Sequence, residues 1–339
     1  MAALKTNIVL NGSQLGMKID QIRFPDELMR SMRDKTCVVF AGAGVSMGEP
    51  AKLPSFFKLA EQLAAGTGET RGDGEPVDRF LGRIHRKGVR IHERSCTALN
   101  PVAGSHTPLH RDLLRLFPET TDIKVVTTNF DTLFEEACAE ITDDIVSVYR
   151  APALPLGHDF SGIVHVHGSR EFSKGIVLTD SDFGRAYLTE GWARRFLVDL
   201  FQNYSVLFIG YSHDDVVMDY LARALPSRDG NRYVLIAEGS DESDWKARGI
   251  TPIWFPKPAP SDYSFLNSGI AKLADYLRAP RSIRSNATIG VINVATVPFR
   301  RADSLLPNPA ARFSHLVGRC APPSAAFRPF RPCRRRIAA

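Results

Sequence analysis

No C-x-x-C pair occurs in this sequence. Its five cysteines, Cys37, Cys96, Cys138, Cys320 and Cys333, stand far apart. That spacing excludes a zinc ribbon and a disulfide framework, and a reducing cytosol is the default expectation. No apolar run approaches the roughly 20 residues of a membrane helix. The opening stretch, MAALKTNIVLNGSQLG, has one lysine and no long apolar core, a poor match to a signal peptide. Lysine is missing after position 280. From Arg281 onward there are eleven arginines and a single acid, Asp303. The formal net charge of +6 therefore comes from that end, and residues 1–280 are mildly acidic. The charge gives no reason to expect nucleic acid on the folded part. With 44% hydrophobic and 24% charged residues, the 339-residue chain reads as a globular protein of one large α/β domain or two ordinary ones.

What is present begins with Cys37–Ser46, CVVFAGAGVS. A short apolar run that stops at glycines reads as a buried parallel strand ending in a tight turn. Glycines let backbone N–H groups approach a phosphate, and Ser46 offers one more donor. A helix is expected over 25–35, and another over 55–65, where Phe56, Leu59, Ala60 and Leu63 share a face. Further helices are expected over 77–90, 106–117, 132–140, 191–204, 215–225 and 264–277. Strands are expected over 7–10, 123–128, 145–149, 163–167, 176–179, 205–209, 232–237 and 251–255. This alternation describes a Rossmann-like, doubly wound parallel α/β sheet. The expected organisation is a lead-in at 1–24, a catalytic domain at 25–280 with a helical insert at about 48–120, and a tail at 281–339. The tail is rich in Arg, Pro and Ala. It reads either as a disordered basic segment or as a truncated, frame-shifted or wrongly joined end.

Four polar clusters fall where strands should end: 42–46, 127–131, 165–169 and 210–215. In a parallel sheet such ends share one edge, where ligands bind. Each cluster also has a plainer reading. Asn129 and Asp131 are suited to capping the following helix. His165 should face away from His167, because side chains alternate along a strand, and it reads as structural. Asp214 and Asp215 suit a helix start. Cys37 reads as a small buried hydrophobe, and Trp192 and Phe196 as core.

The ordered set AGAGVS, TTNFD, VHVHGS and FIGYSHDD resembles the SIR2-like family, the NAD-consuming fold of the sirtuins. The helical insert and the Phe183–Tyr187 segment resemble its bacterial branch, which includes NAD hydrolases of anti-phage defence. The resemblance spans roughly residues 25–278. It implies that Ala41, Gly42, Gly44 and Ser46 form the pyrophosphate loop, and that Asn129 orients the nicotinamide riboside and the attacking water. By the same resemblance Asp131 matches the acid beside it and His167 the catalytic histidine, while Gly210 and Ser212 match the loop under the adenosine ribose and phosphate, flanked by Asp214 and Asp215. The paired zinc cysteines of deacylating sirtuins are missing, and the stretch after the glycine loop, GEPAKLPSF, departs from theirs. Both departures favour plain NAD cleavage.

The implied function is an NAD glycohydrolase that depletes NAD during phage infection, with NAD as substrate and no metal. A cytoplasmic setting, a homo-oligomer and a phage-derived or sensor-protein trigger belong to the same expectation, with no membrane partner. An NAD-dependent deacylase or ADP-ribosyltransferase and a non-catalytic NAD or ADP-ribose sensor are the alternatives. Breaking the nicotinamide–ribose bond gives the sugar oxocarbenium character and releases a neutral leaving group. The site must therefore orient, place water and stabilise charge. Asparagine supplies a donor and an acceptor for this, and a histidine titrating near neutrality supplies a base.

Overall fold

A computed structural model describes residues 16–211 and 231–280. The expected strand at 7–10, the helix at 215–225 and the tail from 281 lie outside the described residues. The chain divides into two units, Met1–Thr288 and Ile289–Ala339, and everything described belongs to the first.

The chain enters through an antiparallel hairpin, β1 (Gly16–Ile19) and β2 (Ile22–Pro25), which the sequence pattern does not announce. Ile22 and Phe24 from it are fully buried. Helix α1 (Asp26–Arg33) follows. Its acids lie in the first turn and Arg30 and Arg33 in the last, complementing the helix dipole. Then comes β3 (Cys37–Ala41), buried along its whole length as a strand covered on both faces must be.

Four helices separate β3 from β4 (Lys124–Thr127): α2 (Phe56–Ala64), α3 (Val77–Arg86), α4 (Ile91–Ala98) and α5 (Pro108–Leu114). Ser55 caps α2, accepting from the Lys58 N–H at 3.3 Å. The single helix expected over 77–90 stops at Arg86. Gly88 takes a left-handed turn (φ +90°), and α4 is a separate helix. Helix α6 (Leu133–Ile141), β5 (Val148–Arg150), β6 (Gly162–His165), α7 (Asp180–Gly184), α8 (Trp192–Asn203) and β7 (Ser205–Ile209) come next. Strands β8 (Arg232–Ala237) and β9 (Thr251–Phe255) and a helix at Ser264–Arg278 close the described fold.

The expected strand at 176–179 does not form. Ile176, Val177 and Leu178 are buried, but the Leu178 and Thr179 N–H groups donate to the Asp182 carboxylate at 3.2 and 3.0 Å. An acid at the start of α7 takes the hydrogen bonds a neighbouring strand would have needed.

Among the described residues, seven strands form one parallel sheet in the order β5–β6–β4–β3–β7–β8–β9. Without the edge strand β5, this is the order of a doubly wound dinucleotide-binding sheet, with its reversal between β3 and β7. Alternation along the strands splits the core in two. Val39, Ala41, Val125, Leu207 and Ile209 pack with α1, α5, α6 and the Ser264–Arg278 helix. Val38, Phe40, Val126, Val206 and Phe208 pack with α8. Trp192 and Phe196 sit in that second core, and Cys37 in the first, as expected. A third core joins α2, α3 and α4 to Phe130, Ile176 and Leu178, so these helices rest on the loops that follow β4 and β6.

The reversal point is where the glycines matter. A Cβ on Gly44 would lie 2.8 Å from Gly210 Cα, and one on Gly42 would lie 2.8 Å from Gly210 O and 2.9 Å from the Tyr211 ring. Gly210 itself is left-handed (φ +77°). Gly44→Ala should therefore destabilise the fold by about 1–3 kcal/mol, as overpacking against backbone does. Urea unfolding followed by circular dichroism measures it. An unchanged midpoint would mean that the two loops are not in contact.

Candidate active site

The loops after β3, β4 and β6 meet above the carboxyl edge of the sheet. Between them is an open cleft of about 560 Å³, mouth included. Its polar lining is Ser46, Thr128, Asn129, Asp131 and His167. Its walls are apolar, with Phe56 and Leu59 from α2, Phe130 beside Asn129, and Val177 and Phe183 beyond β6.

The Ala41 carbonyl ties the strand ends together. It accepts from Thr127 Oγ1 at 3.0 Å, from the Thr128 N–H at 3.3 Å and from Tyr211 Oη at 3.1 Å. Ala41 is thus a buried anchor. The N–H groups of Gly42 and Gly44 donate to the carbonyls of Ile209 and Gly210, both at 2.9 Å, and those of Val45 and Ser46 close a short 3-10 turn. In this structure the glycines are small so that the β3 and β7 loops can touch, and their N–H groups are spent on that contact.

Ser46 is also committed internally. Its Oγ donates to Asp131 Oδ2 at 2.9 Å and accepts from Asn129 Nδ2 at 3.1 Å. It lies 3.2 Å from His110 Nε2. Thr107 fixes the tautomer there, because its N–H donates to His110 Nδ1 at 3.1 Å. The ring hydrogen therefore sits on Nε2 and points at Ser46. The hydroxyl expected to donate to a phosphate is the centre of a closed network instead.

That network orients Asn129. Its amide nitrogen donates to Gly42 O and Ser46 Oγ, both at 3.1 Å. A backbone carbonyl can only accept, so the nitrogen must lie on that side, and Oδ1 is the polar edge left to the cleft. Asn129 therefore does not cap α6. Asp131 does, accepting from the Leu133 N–H at 3.2 Å through Oδ1 while Oδ2 holds Ser46. Burial pushes the Asp131 carboxyl above its ordinary value.

The histidines differ. His167 is buried against Phe183 and Tyr187, with Nε2 2.8 Å from Tyr187 Oη, and burial pushes its imidazole down to about 3. A ring titrating near neutrality is the sequence expectation; in this cleft the ring is held neutral because no acid is close enough to offset its desolvation. His110 is likewise pushed to about 3, first by burial and then by His106. His165 faces away from the cleft, as alternation requires, and reaches Glu135 on α6. Burial opposes its charge, but Glu135 outweighs that and holds it above its ordinary value.

Gly210 lies against the β3 loop beneath the cleft, while Ser212, Asp214 and Asp215 fall outside the described residues. Sequence reasoning missed Thr107, His110, Tyr211 and Glu135. Tyr211 stands inside the FIGYSHDD stretch. His110 shows only as a polar residue within an otherwise apolar helical face. Among the described residues no group of three or more His, Cys, Asp or Glu could hold a metal ion, and no helix is long and apolar enough to cross a membrane.

Strand order and cleft together define a Rossmann-like α/β protein with a cleft at the sheet's carboxyl edge. Residues 123–253 match the family model of the SIR2-like domain, so this part of the chain is similar to that domain. The match takes in Asn129, His167 and Gly210 and begins after the β3 glycine loop. The chain is also similar to the uncharacterized protein y4cA of Sinorhizobium fredii (strain NBRC 101917 / NGR234), at 28% identity over 88% of this chain and 28% of that protein. It thus spans well under a third of the length of this curated relative. A solved chain presented under "Structural Basis for the Mechanism and Regulation of Sir2 Enzymes" is similar at 14% identity, covering 76% of this chain and 97% of that one, with a TM-score of 0.39.

The two depressed histidines set an acid limit. Unfolded, each titrates near 6.5, so between about 6.5 and 3 the unfolded chain binds more protons. Their stabilisation is whole above that window and is lost as pH falls through it. The urea midpoint should decline steadily from pH 6.5 to 4, and His167→Gln should flatten part of the slope. A level midpoint over this range would contradict neutral buried imidazoles.

Proposed function

We propose that the chain is an NAD glycohydrolase that cleaves the nicotinamide–ribose bond of NAD, using Asn129 and His167. The observation that carries this reading is the convergence of the Asn129 carboxamide and the His167 imidazole on one cleft at the sheet's carboxyl edge. NAD and water become nicotinamide, ADP-ribose and one proton. The bond breaks with its electron pair leaving on nicotinamide, so the developing charge is positive and sits on the ribose.

The cleft is suited to that event. Apolar walls from Phe56, Leu59, Phe130, Val177 and Phe183 favour a flat, uncharged leaving group over its cationic precursor. Asn129 Oδ1, held with its accepting edge outward, can take a hydrogen bond from a ribose hydroxyl or from the attacking water. Because Gly42 and Ser46 fix the amide, no reorganisation is needed as charge develops. His167 is neutral, and a ring pushed down to about 3 serves as a hydrogen-bond acceptor for the attacking water or a ribose hydroxyl, with the proton passing on to solvent. Substrate contacts by Asp131, Gly210, Ser212, Asp214 and Asp215 belong to the same proposal, with Gly42, Gly44 and Ser46 shaping the site through the bonds described above. So does the role as an anti-phage effector acting by NAD depletion, which rests on the resemblance of the four motifs.

The test is nicotinamide release by the full chain, measured by chromatography over a range of protein concentrations. The wild type should release it without an acetylated peptide. Asn129→Ala and His167→Ala should each lower the rate by roughly 100-fold or more, the usual scale of a lost positioning or acid–base group. Their circular dichroism melts should persist. Full activity in either variant defeats the assignment. Release that requires the peptide favours a deacylase, and tight NAD binding without turnover favours a sensing module.

A further inference from the structure

Asn129 is held by its main chain as well as by its carboxamide. Its carbonyl oxygen lies 3.1 Å from His165 Nδ1, and His165 Nε2 lies 3.0 Å from Glu135 Oε1. A peptide carbonyl only accepts, so Nδ1 must carry a hydrogen. An ionised carboxylate also only accepts, so Nε2 must carry one too. A neutral imidazole has a single N–H and can serve only one of these partners. We infer that His165 is a buried imidazolium strut between Glu135 and the Asn129 peptide, and that Glu135 is a positioning residue, keeping the strut charged so that Asn129 is presented to the cleft. For its catalytic consequence the inference rests on the NAD-cleavage reading.

The surroundings fit a charged ring. Glu135 faces it from the first turn of α6, and Asp131 acts on it from the loop before that helix. Arg150, at the end of the edge strand β5, lies 3.2 Å from Glu135 Oε1 and 2.6 Å from Glu171 Oε2. Two cations therefore alternate with two carboxylates, from the loop after β6 through β5 and α6 to β6. An imidazolium buried without such a partner would lose its proton.

The sign of the pH dependence follows. With its titration raised by Glu135, His165 holds both partners at and below the ordinary histidine range, and loses one as pH rises through the raised value. Glu135→Gln keeps the volume and an accepting oxygen but removes the charge. The ring then turns neutral at lower pH, and the Asn129 carbonyl competes with residue 135 for a single N–H.

Nitrogen-15 NMR of histidine-labelled full chain reads the ring directly, and nicotinamide release against pH reads the consequence. In the wild type both His165 nitrogens should be protonated at pH 7. E135Q should lower the midpoint by roughly one unit or more, the scale of losing an opposite charge at contact. The alkaline limb of kcat should move down by the same amount, while KM for NAD changes less than about twofold. Should E135Q fail to fold, Arg150→Gln removes the cation on the far side of Glu135, and the midpoint should rise. A neutral His165 at pH 7 in the wild type overturns the strut. A midpoint that moves while the alkaline limb stays put overturns its part in catalysis. If the wild type releases no nicotinamide at any pH, the cleavage reading fails separately, and the NMR result still decides the strut.

Discussion

The Ser46 hydroxyl is the constraint on which the site depends. One oxygen joins the loop after β3, the loop after β4 and helix α5, through Asp131, Asn129 and His110. A hydroxyl has one hydrogen and two lone pairs, and here all three are used. With no valence spare, the orientation of each partner is dictated by the others. Asn129 must point its nitrogen inward because Ser46 has already given its hydrogen to Asp131. A carboxamide fixed in this way presents the cleft with a defined acceptor rather than an averaged dipole. Removing the hydroxyl would leave buried polar groups without partners, each at a cost of about 1–3 kcal/mol.

Burial explains why the histidines near this hub take different charge states. His110 and His167 are surrounded by hydroxyls and aromatic rings, and neither faces a carboxylate across a hydrogen bond, so desolvation holds them neutral. His165 is just as buried, but Glu135 sits 3.0 Å away, and the balance reverses. The difference is one carboxylate, contributed by the first turn of α6. Two histidines separated by one residue in VHVHGS thus acquire opposite chemistry. The strand's alternation sends one to an acid and the other to an aromatic wall.

Much of this was legible in the chain. Runs such as Cys37–Ala41, Ser205–Ile209 and Arg232–Ala237 are apolar, β-branched and bounded by polar breaks, and they form strands at those residues. The four motif clusters could be placed on one sheet edge because a parallel sheet leaves no other arrangement. What could not be read were partners distant in sequence. His110 lies 64 residues from Ser46, and nothing in a helical pattern says that its polar face will meet a strand loop. The run 176–179 looked like a strand because its side chains are apolar. Its fate was decided by Asp182, a few residues on, competing for the backbone N–H groups. The glycines were legible as glycines, but not their reason. Proximity to phosphate and proximity to another loop demand the same missing Cβ, and only the position of Gly210 separates them.

The helices between β3 and β4 are bound to the site in two places, which limits how it can move. Phe130 packs into the core that α2, α3 and α4 share, while its neighbours Asn129 and Asp131 turn toward Ser46. From the last of these helices, α5, His110 reaches the same serine. Shifting α2–α4 by more than a side chain's give must either pull Phe130 out, at about 3 kcal/mol or more for a buried phenylalanine, or carry the residues on both sides of it along. Shifting α5 must break the His110 bond. The wall of the cleft and the group it presents are therefore parts of one mechanical unit. Any rearrangement that widens the cleft through these helices also disturbs the orientation of Asn129. Any displacement of α2–α4 is therefore transmitted through Phe130 to the orientation of Asn129.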